Sequence, residues 1–252
     1  MHKHYDENYI NAVQASLLFL KEESYRKLPV QPGKIADIGC GAGTDVLRMA
    51  KQYPLHQYLG VDHDKSFINS ALKALDESNL VNVSFQTGDI TQLSFESHFF
   101  DAVRLDRILQ HISPLKKALE EVKRVLKKNG SIVIIETDWS SMRIYHENYH
   151  FFDDLTAYYA DTKIPQGRVV YKLPSILESL GFDNINMKVE PFVVEGKNLL
   201  NTFFYLEKGI EEVAELKGYK NIPSLKASVN KTDDKWGLKA SINMTLLHAT
   251  LR

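Results

Sequence analysis

Cysteine is nearly absent: Cys40 stands alone in a chain of 252 residues. A single thiol excludes an internal disulfide framework and any thiolate cluster for zinc, and it suits a reducing compartment. Long apolar runs are missing as well. No stretch approaches about 18 uninterrupted apolar residues, and the opening residues MHKHYDENY lack the apolar segment of a secretory leader. A cytoplasmic protein without a membrane partner is expected. Neither sign of charge dominates, with 31 Lys and Arg against 32 Asp and Glu and a formal net charge of -1. Nothing in that balance attracts a phosphate backbone, so no nucleic-acid partner is expected. Internal repeats, low-complexity tracts and linkers are also lacking. What is there, 44% hydrophobic and 25% charged residues, is the make-up of a globular chain with a full core.

Periodicity then divides the chain. Apolar positions at helical spacing (Ile10, Val13, Leu17, Leu18, Leu20) predict an amphipathic helix from about Tyr5 to Leu28, stopped by the Pro29 to Gly33 stretch. From Lys34 short β-rich runs alternate with helical ones, the mark of βαβ units and a parallel sheet. The runs are IADI (35–38), HQYLGVD (56–62), VSFQT (83–87), FDAVRL (100–105) and SIVIIET (131–137). Helices are predicted at 44–52, 65–76 and 114–128, the last closed by Asn129-Gly130. After Trp139 the pattern predicts an aromatic-rich helical segment over 140–160 and a turn at 164–167. A helix over 174–180, a strand from Asn184, a helix over 198–216 and a strand over 240–251 follow. The expected organisation is a single domain: an N-terminal helical lid (1–30), a cofactor half (34–138), a helical insertion (139–172) and the rest of the sheet (173–252).

The stretch DIGCGAG, Asp37 to Gly43, sits where the first strand turns into its helix, the edge at which doubly wound folds bind ligands. A dinucleotide fingerprint needs G-x-G-x-x-G, whereas the spacing here is G-x-G-x-G with Thr44 at the position of the last glycine. Asp37, two residues before Gly39, is poorly placed beside a pyrophosphate and well placed for a ligand carrying an ammonium group. Asp62 ends the second strand, where a carboxylate can accept from both ribose hydroxyls. Asp89 follows the third strand, where a carboxylate can accept from an adenine amino group while Ile90 packs on the ring. The competing reading makes the glycines a tight turn and the aspartates helix caps.

Taken in order, DIGCGAG, GVDHD, GDI and FDAV resemble the motifs of class I S-adenosylmethionine-dependent methyltransferases, over about Lys34 to Asp138, in the small-molecule (UbiE-like) group. The resemblance implies a doubly wound α/β, Rossmann-like sheet of seven mainly parallel strands, its last strand antiparallel, with helical lid insertions. It also implies S-adenosyl-L-methionine as cofactor and S-adenosyl-L-homocysteine as product. Gly39, Cys40, Gly41 and Gly43 would pass beneath the methionine and ribose, and Asp37 would help fix the ammonium. Asp62 and His63 would line the ribose, Asp89 and Ile90 the adenine, and Leu105 and Asp106 the donor pocket. Cys40 is read as a small packing residue.

Methyl transfer is an in-line displacement that needs alignment, exclusion of water and, for a hydroxyl or acidic carbon, removal of a proton. The fourth strand leads into VRLDRILQHI, which lacks the Asn/Asp-Pro-Pro-aromatic run of nucleic-acid amino methyltransferases, and no cysteine follows it. Both departures favour a small-molecule acceptor at O, N or C. His111 is the candidate general base; the other reading is a structural imidazole bonded to backbone. Tyr9, Trp139, Tyr145 and Arg168 are candidate substrate contacts, with core packing or plain surface exposure as the alternative. No metal site is expected, and the chain is expected as a monomer or homodimer. Other functions left open are a non-catalytic cofactor-binding protein with a protein partner and an NAD(P)-dependent oxidoreductase.

Overall fold

The computed structural model describes residues 17–231 and 238–252. Seven strands form one sheet: β1 (Lys34–Ile38), β2 (Gln57–Asp62), β3 (Val83–Thr87), β4 (Phe100–Asp106), β5 (Leu126–Tyr145), β6 (Phe182–Glu195) and β7 (Lys239–Leu251). Their order is β3-β2-β1-β4-β5-β7-β6, mostly parallel with one antiparallel strand. The helices are α1 (Leu18–Tyr25), α2 (Thr44–Gln52), α3 (Lys65–Asp76), α4 (Leu115–Val125), α5 (Tyr149–Tyr158), α6 (Leu173–Ser179), α7 (Lys197–Phe204), α8 (Leu206–Lys217) and α9 (Ile222–Lys231). No helix among the described residues is long and apolar enough to cross a membrane.

The chain forms two compact units. One holds Leu20–Glu136, Val169–Val189 and Thr245–Arg252; the other includes Thr137–Arg168 and the described part of Glu190–Met244. In the first, the central strands are mainly apolar because both faces are covered: Ile35, Ala36 and Ile38 of β1 and Ala102, Val103 and Leu105 of β4 are buried. The helices match that sheet with one apolar stripe each. In α4 it is Leu115, Ala118, Leu119, Val122 and Val125. Parallel pairing places Ile38 beside both Val61 and Leu105, so the carboxyl ends of β1, β2 and β4 lie side by side. Strand order reverses between β1 and β4, the switch point at which such sheets leave a crevice.

In the second unit, Phe151, Phe152, Leu155, Tyr159, Leu200, Phe204, Ile210 and Val213 are buried. Gly209 lets Tyr159 approach: a Cβ built there would lie 3.0 Å from Leu155 Cδ1 and closer still to the tyrosine hydroxyl.

Several expectations are corrected. The helix predicted over 114–128 ends at Val125, and Leu126–Gly130 already belongs to β5, with Leu126 paired to Phe100 across a bulge. Asn129-Gly130 therefore lies within a strand. Strand β5 also runs on to Tyr145, so the helical reading of 140–160 holds only from Tyr149. The helix predicted over 198–216 is two helices, broken at Tyr205, whose φ is +49°. Tyr159 Oη donates to the carbonyls of Phe204 and Tyr205 at that break, satisfying acceptors that a continuing helix would otherwise take up. Helix α9 was not predicted. The part of the first predicted helix before residue 17 lies outside the described residues.

Candidate functional site

The glycine loop owes its shape to three left-handed residues. Gly39, Gly41 and Gly43 have φ of +79°, +54° and +77°, a region that costs an L side chain about 1–2 kcal/mol. Alternation of these residues is the physical content of the G-x-G-x-G spacing. The loop is tied to β2: Gly39 and Cys40 both donate to the Val61 carbonyl, at 2.7 and 3.0 Å, and Gly41 donates to Asp62 Oδ2 at 2.8 Å. The glycines differ in what surrounds them. A Cβ at Gly43 would lie 2.5 Å from Phe85 Cζ and 2.9 Å from Ala71 Cβ, so packing requires glycine there. Among the described residues, a Cβ at Gly41 would meet no heavy atom within 4 Å. Its left-handed backbone favours glycine, packing against the described residues does not require one, and the open side leaves room for the close approach of a ligand.

Asp62 is buried, and each of its oxygens accepts one backbone bond, Oδ2 from Gly41 and Oδ1 from Asp64 at 2.9 Å. A carboxylate has about four acceptor sites, so capacity for a diol is left. His63 is exposed, with Nδ1 3.3 Å from Asp62 Oδ1. The residue that caps α3 is Asp64, which accepts from Ser66 N at 2.7 Å. Asp89 is exposed and closes its own turn by accepting from Thr91 N and Oγ1, while Ile90 is buried beside it. Cys40 is partly buried, and desolvation pushes its thiol far above the ordinary range, which disfavours a thiolate.

Asp37 and Asp106 stand in an arrangement that the sequence did not suggest. Arg104, in β4 between them and wholly buried, places Nη1 3.0 Å from Asp37 Oδ1 and Nη2 2.9 Å from Asp106 Oδ2. Nη2 also lies 3.4 Å from Asp45 Oδ2, and Nε donates to Ser24 Oγ at 3.0 Å. Lys21, equally buried, bonds Asp45 and lies 3.2 Å from Asp106 Oδ2. Tyr25 Oη donates to Asp45 Oδ1 at 2.8 Å, and Arg107 Nε donates to Asp106 Oδ1 at 2.9 Å. Burial lifts the Asp37 carboxyl to about 6 against the pull of Arg104, with Asp45 and Asp106 raising it further. Burial also opposes ionisation of Asp106, yet Lys21, Arg107 and Arg104 hold its carboxyl well below the usual range.

The turn after β4 carries Gln110 and His111 in a single 3-10 turn, Leu109–His111, with His111 exposed. Its amides are capped from β5: Glu136 Oε1 accepts from Leu109 N at 2.6 Å and from Gln110 N at 3.4 Å. Glu136 is wholly buried and its Oε2 has no hydrogen-bond partner among the described residues. Burial pushes this carboxyl up to about 8, opposed by those two amides and assisted by Asp106.

Of the sequence-predicted residues, Asp37, the loop 39–43, Asp62, His63, Leu105 and Asp106 are brought together at adjoining strand ends, and Asp89 and Ile90 follow β3. Of the candidate substrate residues, Trp139, Tyr145 and Arg168 belong to the second unit. Trp139 is buried, stacked on Tyr159 at 5.5 Å and edge-on to Phe204 at 6.2 Å. Tyr145 is 63% exposed and bonds Ser241 Oγ at 3.2 Å. Arg168 sets its fork on Asp161, at 2.6 and 2.9 Å. Tyr9 lies outside the described residues. Lys21, Arg104, Asp45 and Glu136 were missed, and only the ionisable Arg104 inside an apolar strand run could have drawn attention.

Comparison with known proteins bears on this geometry. A family profile described as a methyltransferase domain matches residues 31–163. Demethylmenaquinone methyltransferase of Geobacillus sp. is 28% identical over 156 residues, 60% of this chain and 66% of that protein. The chain spans about half the length of the first curated relatives it matches, 45% and 44% of two of them. Among solved structures, the YcgJ protein of Bacillus subtilis shares the fold with a TM-score of 0.63 at 17% identity, over 95% of this chain and 99% of that one. Phosphoethanolamine N-methyltransferase 2 of Haemonchus contortus, solved with phosphomonomethylethanolamine and S-adenosylhomocysteine, matches with a TM-score of 0.57 at 19% identity. That match covers 94% of this chain and 52% of the other.

Proposed function

The chain belongs to the methyltransferase-domain family, and from that premise we propose that it is an S-adenosylmethionine-dependent methyltransferase acting on O, N or C of a small-molecule metabolite. The observation that carries this reading is the loop itself, three alternating left-handed glycines, with the side of Gly41 where a Cβ would stand left open by the described residues. The quinone-related name of the Geobacillus relative and the phosphomonomethylethanolamine in the Haemonchus structure support a small acceptor.

When bound, the cofactor supplies the methyl group on a sulfonium. The chain's part is to bind and orient. Backbone at Gly39–Gly43 would pass beneath the methionine and ribose, the Asp62 carboxylate would accept from the ribose diol, and Asp89 with Ile90 would take the adenine. His111, exposed on its capped turn, would accept a proton from an acceptor hydroxyl or acidic carbon.

The test is calorimetric titration of the chain with S-adenosylhomocysteine. A micromolar Kd, about −8 kcal/mol, is expected, with no heat from NAD or NADP. Absence of binding at about 100 μM of either sulfur nucleoside would sink the proposal. A second expectation separates the glycines. Gly41→Ala lowers stability only by the left-handed backbone cost of about 1–2 kcal/mol, yet weakens S-adenosylhomocysteine at least tenfold, because its methyl occupies the ligand's approach. Gly43→Ala adds a clash with Phe85 and should show the larger loss of thermal stability. Equal ligand affinity in Gly41→Ala and wild type would show that the open face is not the binding face.

A further inference from the structure

Three buried carboxylates border the candidate loop from different elements: Asp37 is next to last in β1 before it, Asp45 lies in the first turn of α2 after it, and Asp106 ends β4 across from it. Left to themselves, three buried anions would repel one another and spread the loop from the strand end. Two buried cations prevent this. Arg104 contacts all three acids, and Lys21 of α1 contacts Asp45 and Asp106. Ser24 and Tyr25, on the same helix, add the bonds to Arg104 Nε and Asp45 Oδ1. Helix α1 is thereby fastened to the residues that flank the loop on both sides. Asp37, which the family resemblance would assign to the cofactor's ammonium, already has one oxygen on Arg104.

We propose that Lys21 and Arg104 are positioning residues of the methyl-donor site. By holding Asp37, Asp45 and Asp106 in one arrangement they set the spacing between the glycine loop and the end of β4, and so make donor affinity depend on α1. The inference rests on the reading that this loop binds S-adenosylmethionine. Its action is indirect: the cations place the acids, and the acids place the backbone of Gly43–Asp45 and Leu105–Asp106.

The experiment compares wild type, Lys21→Met and Lys21→Arg as whole chains, titrated with S-adenosylhomocysteine at a temperature where circular dichroism shows each folded. Lys21→Met, which keeps the stem and removes the charge, is expected to raise Kd at least tenfold. Lys21→Arg restores it to within threefold of wild type. A merely structural lysine would lower the unfolding midpoint of Lys21→Met and leave the Kd of the folded protein within threefold, and that result overturns the inference. If Lys21→Met does not fold, Ser24→Ala, which removes only the acceptor of Arg104 Nε, carries the test with at least a threefold weakening expected; an unchanged Kd there overturns the inference equally. A wild type that gives no heat removes the functional reading and this inference with it. A wild type that binds beside an equally tight Lys21→Met removes this inference alone.

Discussion

Replacing Asp62 by alanine should abolish measurable S-adenosylhomocysteine binding, with a loss of at least a hundredfold in affinity. Two effects add. Within the protein, the substitution leaves Gly41 N and Asp64 N, both half-buried, without the carboxylate that now accepts from them at 2.8 and 2.9 Å, a loss of about 1 kcal/mol, the low end for an unpaired donor. The loop is then free to leave the arrangement that exposes the open face of Gly41. Toward the ligand, on the proposed reading, two hydrogen bonds from ribose hydroxyls to a charged acceptor would be lost, each about 1.5 kcal/mol or more. Together the ligand terms reach about 3 kcal/mol, which is about a hundredfold at 1.4 kcal/mol per decade. Asp62→Asn keeps one oxygen and should fall between the two, near tenfold. Calorimetry and thermal denaturation check both halves. An Asp62→Ala chain that binds within threefold of wild type would remove Asp62 from the ribose site and leave it a loop tether.

Glu136→Gln should make the protein more stable at alkaline pH, an unusual gain for a substitution at a wholly buried site. The carboxyl sits at about 8 in the folded chain against an ordinary value of 4.5, so the folded state binds a proton that the unfolded state has released. Stability from this group is therefore complete below about 4.5, falls as pH rises, and is gone by about 8. Each unit corresponds to about 1.4 kcal/mol, so the whole window, from 4.5 to about 8, is worth on the order of 5 kcal/mol. Glutamine does not titrate, and its carbonyl can still accept from Leu109 and Gln110. Asp106 and Arg107, the charged groups that act on Glu136, are present in both proteins, and the shifts at Asp37 and Asp106 are common to both. The expected result is equal stability at pH 5 and an advantage to Glu136→Gln at pH 8.5, read from urea midpoints at each pH. Parallel stability profiles would show that Glu136 is already ionised in the folded protein.

Much of the fold was legible because the signals are local. Alternating short apolar runs and helical stretches require no knowledge of distant partners, and β1 to β4 and α2 to α4 appear within a few residues of expectation. The errors fall where distant contacts outweigh local preference. Asn129-Gly130 has the chemistry of a helix stop, yet Leu126 pairs with Phe100 and draws the segment into β5. The break at Tyr205 follows from the hydroxyl of Tyr159, 46 positions earlier in the chain.

The candidate site divides along the same line. By itself the sequence marked the loop, because glycine takes up left-handed backbone at the least cost and Gly39, Gly41 and Gly43 announce that backbone at alternate positions without reference to the rest of the chain. The acids at 37, 62 and 89 were visible for a similar reason, each falling within two residues of the end of a predicted strand. Their partners were not. Arg104 meets Asp37 across 67 positions and Ser24 across 80, and Glu136 caps the turn at Leu109 across 27. Which acid faces a ligand, which is neutralised by an arginine and which keeps its proton depends on desolvation and on charges within a few ångströms, and only the packed tertiary structure sets those.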